Sequence, residues 1–258
     1  MTGIYYVEAA ELLRAAGLDV VECDGWQTRA RSSGGFAAPP LGIQWHHTAS
    51  DTTPENDTAW QCEGSEDAPI GNATIMRDGS VWMVAAGAAN TFGKGGPWTF
   101  SRGTVPQDGG NSRTWAWEVA AAGTPGHPWP QVQIDAYFTA TIVMNRHFGN
   151  AVDDVCTHQR WAPERKIDPA VAEDVQGPWQ PRSTTSSGTW DLDDIRSELR
   201  RRGGDEEEPV TDEDIDKIAK AVWKHMTTDQ TVNKQVTVEQ LLQYTRNAAA
   251  AADAQTKD

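Results

Sequence analysis

The sequence predicts an α/β fold: a single central mixed β-sheet flanked by helices, with a small C-terminal helical appendage. Three observations lead there. Between residues 7 and 202, short apolar runs of strand length alternate with stretches of helical spacing. Asp78-Gly79 sits between two apolar runs, a strong hairpin signal. After Arg202, a charged glycine-rich segment separates this part from two further capped helices.

The elements follow in chain order. Val7 to Ala16 reads as a short helix with Leu12, Leu13 and Ala16 apolar at helical spacing, stopped by Gly17. Asp19 to Cys23 reads as a short strand, and Gln27 to Pro40, rich in Arg, Ser, Gly and Pro, as a loop. Leu41 to His47 reads as a buried strand. Side chains alternate along a strand, so Gln44 and His46 share one face while Ile43, Trp45 and His47 share the other. Thr52 to Asp67 is polar and acidic, a loop or short helix. Asn72 to Met76 and Val81 to Ala85 form the two arms of the hairpin.

Ala86 to Gly110 is rich in glycine with little periodicity, which predicts a long loop over one face. Thr114 to Ala121 is the next strand. Trp115, Trp117 and Val119 occupy one face, and Ala116, Glu118 and Ala120 the other. A lone glutamate among alanines is unusual there, because ionised carboxylates are rarely buried without a partner. The plain alternative is an edge strand with Glu118 in solvent. Val132 to Phe148 reads as a long helix ended by Gly149, with Ile134, Phe138, Thr141 and Phe148 near one face. Val152 to Cys156 then leads into a stiff loop, and Trp190 to Arg202 closes this part as a helix. Acidic residues at its start and arginines at its end suit the helix dipole.

The expected boundaries are a domain over residues 1–202, an acidic linker over 203–210 and a small helical domain over 211–258. The linker, Gly203-Gly204-Asp205-Glu206-Glu207-Glu208-Pro209, is flexible and charged. Thr211-Asp212-Glu213-Asp214 and Thr237-Val238-Glu239-Gln240 each begin a helix with an apolar stripe. Two such helices bury little core alone. Self-association into a homo-oligomer is the favoured role, with docking and wall binding as alternatives.

Composition excludes several classes. At 38% apolar residues the chain can build a core. A net charge of −15 argues against nucleic-acid binding, which needs a basic face, and gives no attraction to an anionic membrane or wall polymer. No apolar run is long enough to span a membrane, so membrane insertion is not expected. Met1 to Glu8 lacks a basic region followed by an apolar one, so no signal peptide is expected and the chain is read as made in a cytoplasm. Cys23, Cys62 and Cys156 make an odd count that points to reduced thiols. Cys156 reads as a small buried strand residue, with metal ligation as the alternative. The 12 tryptophans suit aromatic packing under irregular loops, with sugar-binding surface as the alternative.

The chemistry concentrates in Thr157-His158-Gln159-Arg160-Trp161-Ala162-Pro163-Glu164-Arg165-Lys166-Ile167-Asp168-Pro169. Prolines stiffen this loop by fixing φ. It carries an imidazole, a lysine and a carboxylate, which suits a metal site beside a charged catalytic group. A third ligand is available upstream in Ile43-Gln44-Trp45-His46-His47-Thr48-Ala49-Ser50. His46 is the chosen histidine. His47 lies on the face of Ile43 and Trp45, where packing is the modest reading and metal binding the alternative. His46, His158 and Asp168 together suit zinc with an open position for water. Surface histidines and an Asp168–Lys166 ion pair remain the competing account of the same residues.

Trp45-His46-His47-Thr48-Ala49-Ser50, the strand holding Glu118, and His158-x-x-Trp161-Ala162-Pro163-x-Arg165-Lys166-x-Asp168-Pro169 together resemble the zinc-dependent N-acetylmuramoyl-L-alanine amidases of type 2, which include phage endolysins and the peptidoglycan recognition proteins. The resemblance covers roughly residues 1 to 202 and leans toward endolysins of phages infecting actinobacteria. It implies that His46, His158 and Asp168 hold Zn2+, that Lys166 is a catalytic lysine, and that Glu118 is a catalytic base. It also implies peptidoglycan as substrate, and a host cytoplasm as the location before lysis. One departure stands out. Many members carry a tyrosine near the metal, at a place that falls here on Gly71, beside Asn72. Asn72 and His47 stand as candidate substrate-binding residues. Two other functions compete: a non-catalytic peptidoglycan-binding module, whose members typically lack a metal ligand, and a wall hydrolase carried on a virion.

Overall fold

The computed structural model describes residues 3–50 and 69–203. The chain divides into two units, and the described residues belong to the first, Met1–Asp205. The Thr52–Asp67 segment, Cys62, all but Gly203 of the 203–210 linker and the 211–258 helices lie outside the described residues.

A six-stranded mixed sheet organises the described part, flanked by helices. Its strands are β1 (Val20–Glu22), β2 (Ile43–Trp45), β3 (Ala73–Ile75), β4 (Val81–Met83), β7 (Trp115–Val119) and β8 (Val155–Thr157). Their order is β1-β4-β3-β7-β2-β8. β3 and β4 pair antiparallel, and every other neighbouring pair is parallel. The Asp78-Gly79 hairpin is the antiparallel pair. Asp78 accepts from the Ser80 amide and hydroxyl, and Gly79 takes a φ of 85° that a side chain would resist. β7 and β2 are interior strands. Every residue of β7 is buried, which is what parallel sheets covered on both faces demand. Glu118 therefore sits on a central strand, and the edge-strand alternative does not apply.

One face of the sheet packs on the long helix α2 (Gln131–Phe148). Trp45 stacks on Tyr137 with ring centroids 3.7 Å apart, and its Nε1 donates to Thr141 Oγ1 at 3.0 Å. Trp115 and Trp117 continue this layer, and Phe148 closes it against Tyr6 and Trp115. Gly149 ends α2 in the left-handed conformation. The short helix α1 (Ala9–Ala15) buries Ala9, Ala10 and Leu13. That stripe differs from the expected one: Leu12 is half-buried and Ala16 exposed, because the helix meets the core through its small-residue side. α4 (Leu192–Arg201) is capped by Asp191, which accepts from the Asp193 and Asp194 amides, and it buries Ile195 and Leu199.

The other face carries a second, smaller core of Phe92, Phe100, Val105, Cys156, Trp161 and Ala162. Here the structure corrects the expectation of a long loop over residues 86–110. The segment contains an antiparallel pair, β5 (Trp98–Phe100) and β6 (Gly103–Val105). Each is only three residues long, too short for an alternation to show. Asp154, at the start of β8, locks this pair to the sheet. Its carboxylate accepts from the Ser101 amide at 2.7 Å, the Ser101 hydroxyl at 2.5 Å and the Ala151 amide at 2.9 Å.

Seven tryptophans, Trp26, Trp45, Trp115, Trp117, Trp129, Trp161 and Trp190, are fully buried, which favours packing over sugar binding for these seven. Cys156 is likewise a buried, free strand residue. No helix among the described residues is long and apolar enough to cross a membrane. Removing the Asp154 carboxylate leaves three donors without their acceptor, so Asp154→Ala should cost about 2 kcal/mol or more of stability. Urea unfolding checks this; a loss below about 0.5 kcal/mol would show that the lock carries little weight.

Candidate functional site

The site grows from the register of three parallel strands. β2 lies between β7 and β8, with Gln44 opposite Ala116 and Cys156, and Trp45 opposite Trp117 and Thr157. One step past the strand ends this alignment persists. The His46 amide donates to Trp117 O at 3.2 Å and the Thr48 amide to Val119 O at 2.9 Å. His46, Glu118 and His158 thus stand in one row at the C-terminal edge of the strands, the usual place for ligands in such sheets.

Each side chain is held from behind. Trp45, on the opposite face, anchors β2 to α2, and Tyr137 Oη donates to the His46 carbonyl at 3.3 Å. Beyond β8 the expected loop opens with one turn of helix, α3 (His158–Trp161). Thr157 caps it by accepting from the Arg160 amide, so the hydroxyl before His158 fixes where that imidazole emerges. Trp161 pins the turn to the Gly93–Gly96 loop: its Nε1 donates to Gly93 O and its carbonyl accepts from the Gly96 amide. The Gln159 amide donates to Asp168 O at 3.0 Å, and Thr189 Oγ1 to Ile167 O at 2.8 Å. These bonds bring Asp168 back beside His158.

The result is a tight cluster. Asp168 Oδ2 lies 3.0 Å from His158 Nδ1 and 3.2 Å from His46 Nδ1. All three ligand atoms fall within 4.8 Å of one another, so the group could hold a metal ion. Glu118 Oε1 is 3.9 Å from His46 Nδ1. Burial would by itself raise the Asp168 carboxyl, but hydrogen bonds to His158 and His46 and their local charge outweigh it and hold Asp168 well below the usual carboxylate range. Burial and the neighbouring His46 push the His158 imidazole down. The folded chain thus favours an ionised Asp168 beside a neutral His158, the protonation state that a divalent cation requires of its ligands.

A cleft of about 660 Å³ opens over the cluster. Lys166, half-buried, lines it together with His46, Glu118, His158 and Asp168. His47 also lines the cleft, packed between Trp129, with centroids 5.9 Å apart, and Gly123. A Cβ at Gly123 would fall 2.1 Å from the His47 ring, so glycine is required there.

Asn72 does not reach the cleft. It is fully buried; its Nδ2 donates to Ala85 O and Gly87 O, and its Oδ1 accepts from the Ala116 amide. It is a clip joining the β3–β4 hairpin to β7, set apart from the cleft where substrate binding was expected of it. Other residues also line the cleft: Thr48 and Arg165 lie within the motifs quoted above but had no role read for them, and Thr91, Gly123 and Thr124 escaped the sequence reading. Among the described residues, no tyrosine lines the cleft.

A family profile of N-acetylmuramoyl-L-alanine amidases matches residues 36–171, over half of the chain and the whole of this cluster. The chain belongs to the N-acetylmuramoyl-L-alanine amidase family. The activity class of this amidase is accordingly hydrolysis of the N-acetylmuramoyl-L-alanine amide of peptidoglycan. A search of curated proteins gives no match. Among solved structures, the amidase is similar to LysCS, an endolysin amidase from Clostridium intestinale URNW, at 13% identity and a TM-score of 0.44, over 70% of this chain and 95% of the other. It is similar to AmpDh3 from Pseudomonas aeruginosa at 15% identity and 0.46, over 79% and 73%. It is similar to AmiD from E. coli, solved with an anhydro-N-acetylmuramic acid peptide, at 18% and 0.43, over 58% and 60%. At such values the family match alone carries the assignment.

Two outcomes check this geometry. Asn72→Ala leaves two carbonyls and one amide without their partner in the core, so it should cost about 2–4 kcal/mol in urea unfolding without raising KM for a soluble muropeptide; a raised KM at full stability would return Asn72 to the cleft. Burial lowers the His47 imidazole to about 4, with Asp168 opposing that shift and His46 and Lys166 reinforcing it. Between about pH 6.5 and that value the unfolded chain takes a proton that the folded one refuses. The stability this contributes is whole above the window and lost as pH falls through it. In chelator-treated protein the urea midpoint should therefore drop from about pH 7 to about pH 4.5, and drop less in His47→Gln; equal drops would show that His47 is not held neutral.

Proposed function

We propose that the amidase works as a zinc enzyme, with His46, His158 and Asp168 as ligands, Glu118 as general base and Lys166 as electrostatic stabiliser. The observation that carries this is the convergence of two imidazole nitrogens on one carboxylate oxygen at 3.0 and 3.2 Å. In a tetrahedral zinc site with arms of about 2.0–2.1 Å, ligand atoms stand about 3.3 Å apart. The two His–Asp pairs stand near that spacing, and all three ligand atoms lie within 4.8 Å of one another. Two imidazoles and one carboxylate are also a familiar catalytic set for zinc, with a position left for water.

Amides resist hydrolysis because their carbonyl is weakly electrophilic and amines leave badly. Zinc supplies Lewis-acid chemistry, making water acidic enough to attack near neutral pH and polarising the scissile carbonyl. Glu118, buried in the cleft wall beside His46, takes the proton of the attacking water and returns it to the leaving L-alanine nitrogen. Lys166 brings positive charge to the same cleft, where the tetrahedral oxyanion develops. These two residues carry the proton and charge work, since no tyrosine among the described residues lines the cleft.

We also read the protein as an endolysin, made in a host cytoplasm and acting on the wall after release through a membrane lesion. The sequence motifs support that role, and the low affinity expected of so acidic a chain for anionic wall polymer suits an enzyme that acts and moves on. The 211–258 segment is assigned to self-association. Light scattering on the full chain and on a chain ending at residue 202 tests it; equal subunit numbers would remove that role.

Purified peptidoglycan digested with the protein should release new L-alanine amino termini, and a chelator should abolish that release. New reducing sugar ends instead would mean a glycosidase. Wall binding without either product would favour a recognition module. Glu118→Ala and Lys166→Ala should each retain zinc and lose about a hundredfold or more in turnover. Asp168→Ala should lose zinc as well as rate; a full zinc complement by metal analysis would remove Asp168 from the ligand set.

A further inference from the structure

Gln44 is the unexplained residue of the sheet. It is 0% exposed, and neither Nε2 nor Oε1 has a hydrogen-bond partner. An apolar side chain would fill the same place without leaving an amide unpaired. Its neighbours in register are Ala116 and Cys156, both small, so the sheet leaves room for a longer side chain between them. Trp45 and Ile43 point to the α2 side, so Gln44 points to the face that holds the cluster. It lies one row beneath His46, Glu118 and His158, as the floor under the ligand set.

The imidazoles above it have a matching need. Both turn Nδ1 toward Asp168. A neutral imidazole that gives its Nδ1 lone pair to a cation must carry its proton on Nε2. His46 Nε2 and His158 Nε2 are both buried and both lack a partner. One face of the sheet thus holds two prospective N–H donors and one amide with an acceptor to offer, all cut off from solvent.

We infer that Gln44 is a positioning residue for the metal centre: when the ion is held, its amide turns so that the carbonyl oxygen accepts the Nε2–H of one of the two histidines, a bond the side chain does not make in this structure, and so fixes the tautomer that presents Nδ1 to the ion. The inference rests on the zinc reading above. No bond is made or broken and no proton is exchanged with substrate. Gln44 acts only through the imidazole it orients. Partners of this kind commonly contribute about 10- to 100-fold to metal affinity.

The test is zinc affinity by competition with a chromophoric chelator, on the full chain and on Gln44→Met, Gln44→Leu and Gln44→Glu. The two apolar variants should bind zinc about 10- to 100-fold more weakly, and Gln44→Glu, which keeps an acceptor, should recover most of the loss. Metal-free melting temperatures of the apolar variants should be unchanged or higher. In long-range proton–nitrogen spectra of the zinc-loaded protein, one histidine Nε2–H should resist exchange with solvent, and Gln44→Met should expose it. Apolar variants that bind zinc as tightly as the parent would overturn the inference, as would a large drop in their metal-free melting temperature, which would mark Gln44 as a packing residue. If the parent chain itself shows no zinc binding that His46→Ala abolishes, the zinc reading fails and this inference fails with it. Tight parent binding with no Gln44 effect sinks the inference alone.

Discussion

The parallel register of β2 with β7 and β8 is the constraint on which the site depends. Evenly spaced parallel pairing places same-numbered steps of three strands side by side. His46, Glu118 and His158 are far apart in the chain, yet one alignment sets them side by side, Glu118 within β7 and the histidines one step past β2 and β8. A slip of one residue would turn the whole row to the other face. The aromatic layer opposes such a slip: Trp45, Trp115 and Trp117 fill the space under α2 and would have to leave it.

Asp168 is the one member of the cluster that no strand supplies. Its position comes from local bonds around the 157–169 segment. The Thr157 cap, the Gln159 amide on the Asp168 carbonyl and the Thr189 hydroxyl on the Ile167 carbonyl fold the segment back on itself. Burying a carboxylate there is costly unless it is paired, and the two imidazoles supply the pairing. Lys166 adds a cation within an otherwise acidic chain. Two faces of one sheet thus divide the labour, with packing against α2 on one and polar chemistry on the other.

Local signals made part of this legible. The Asp78-Gly79 hairpin, the Gly149 stop and the α4 cap could be read because each is a short-range contest between backbone and side chain. Strand alternation separated His46 from His47, and the resemblance agreed with His46 as the residue for the cluster face. The β5–β6 pair and the α3 turn were not legible, since three or four residues are too few for a period to emerge. The clip made by Asn72 was not legible because its three partners, Ala85, Gly87 and Ala116, come from other segments. Cleft residues such as Thr91 and Thr124 carry no pattern of their own.

By itself the sequence determined the fold class and the order of most elements, and it picked out candidate side chains for the chemistry, because alternation, caps and turns are properties of neighbours along the chain. Only the tertiary structure decided that His46 and His158 share one carboxylate oxygen, that Glu118 is interior, and that Gln44 lies unpaired beneath them. Those facts depend on distances between strands, and strand order is set by burying the tryptophan layer as a whole.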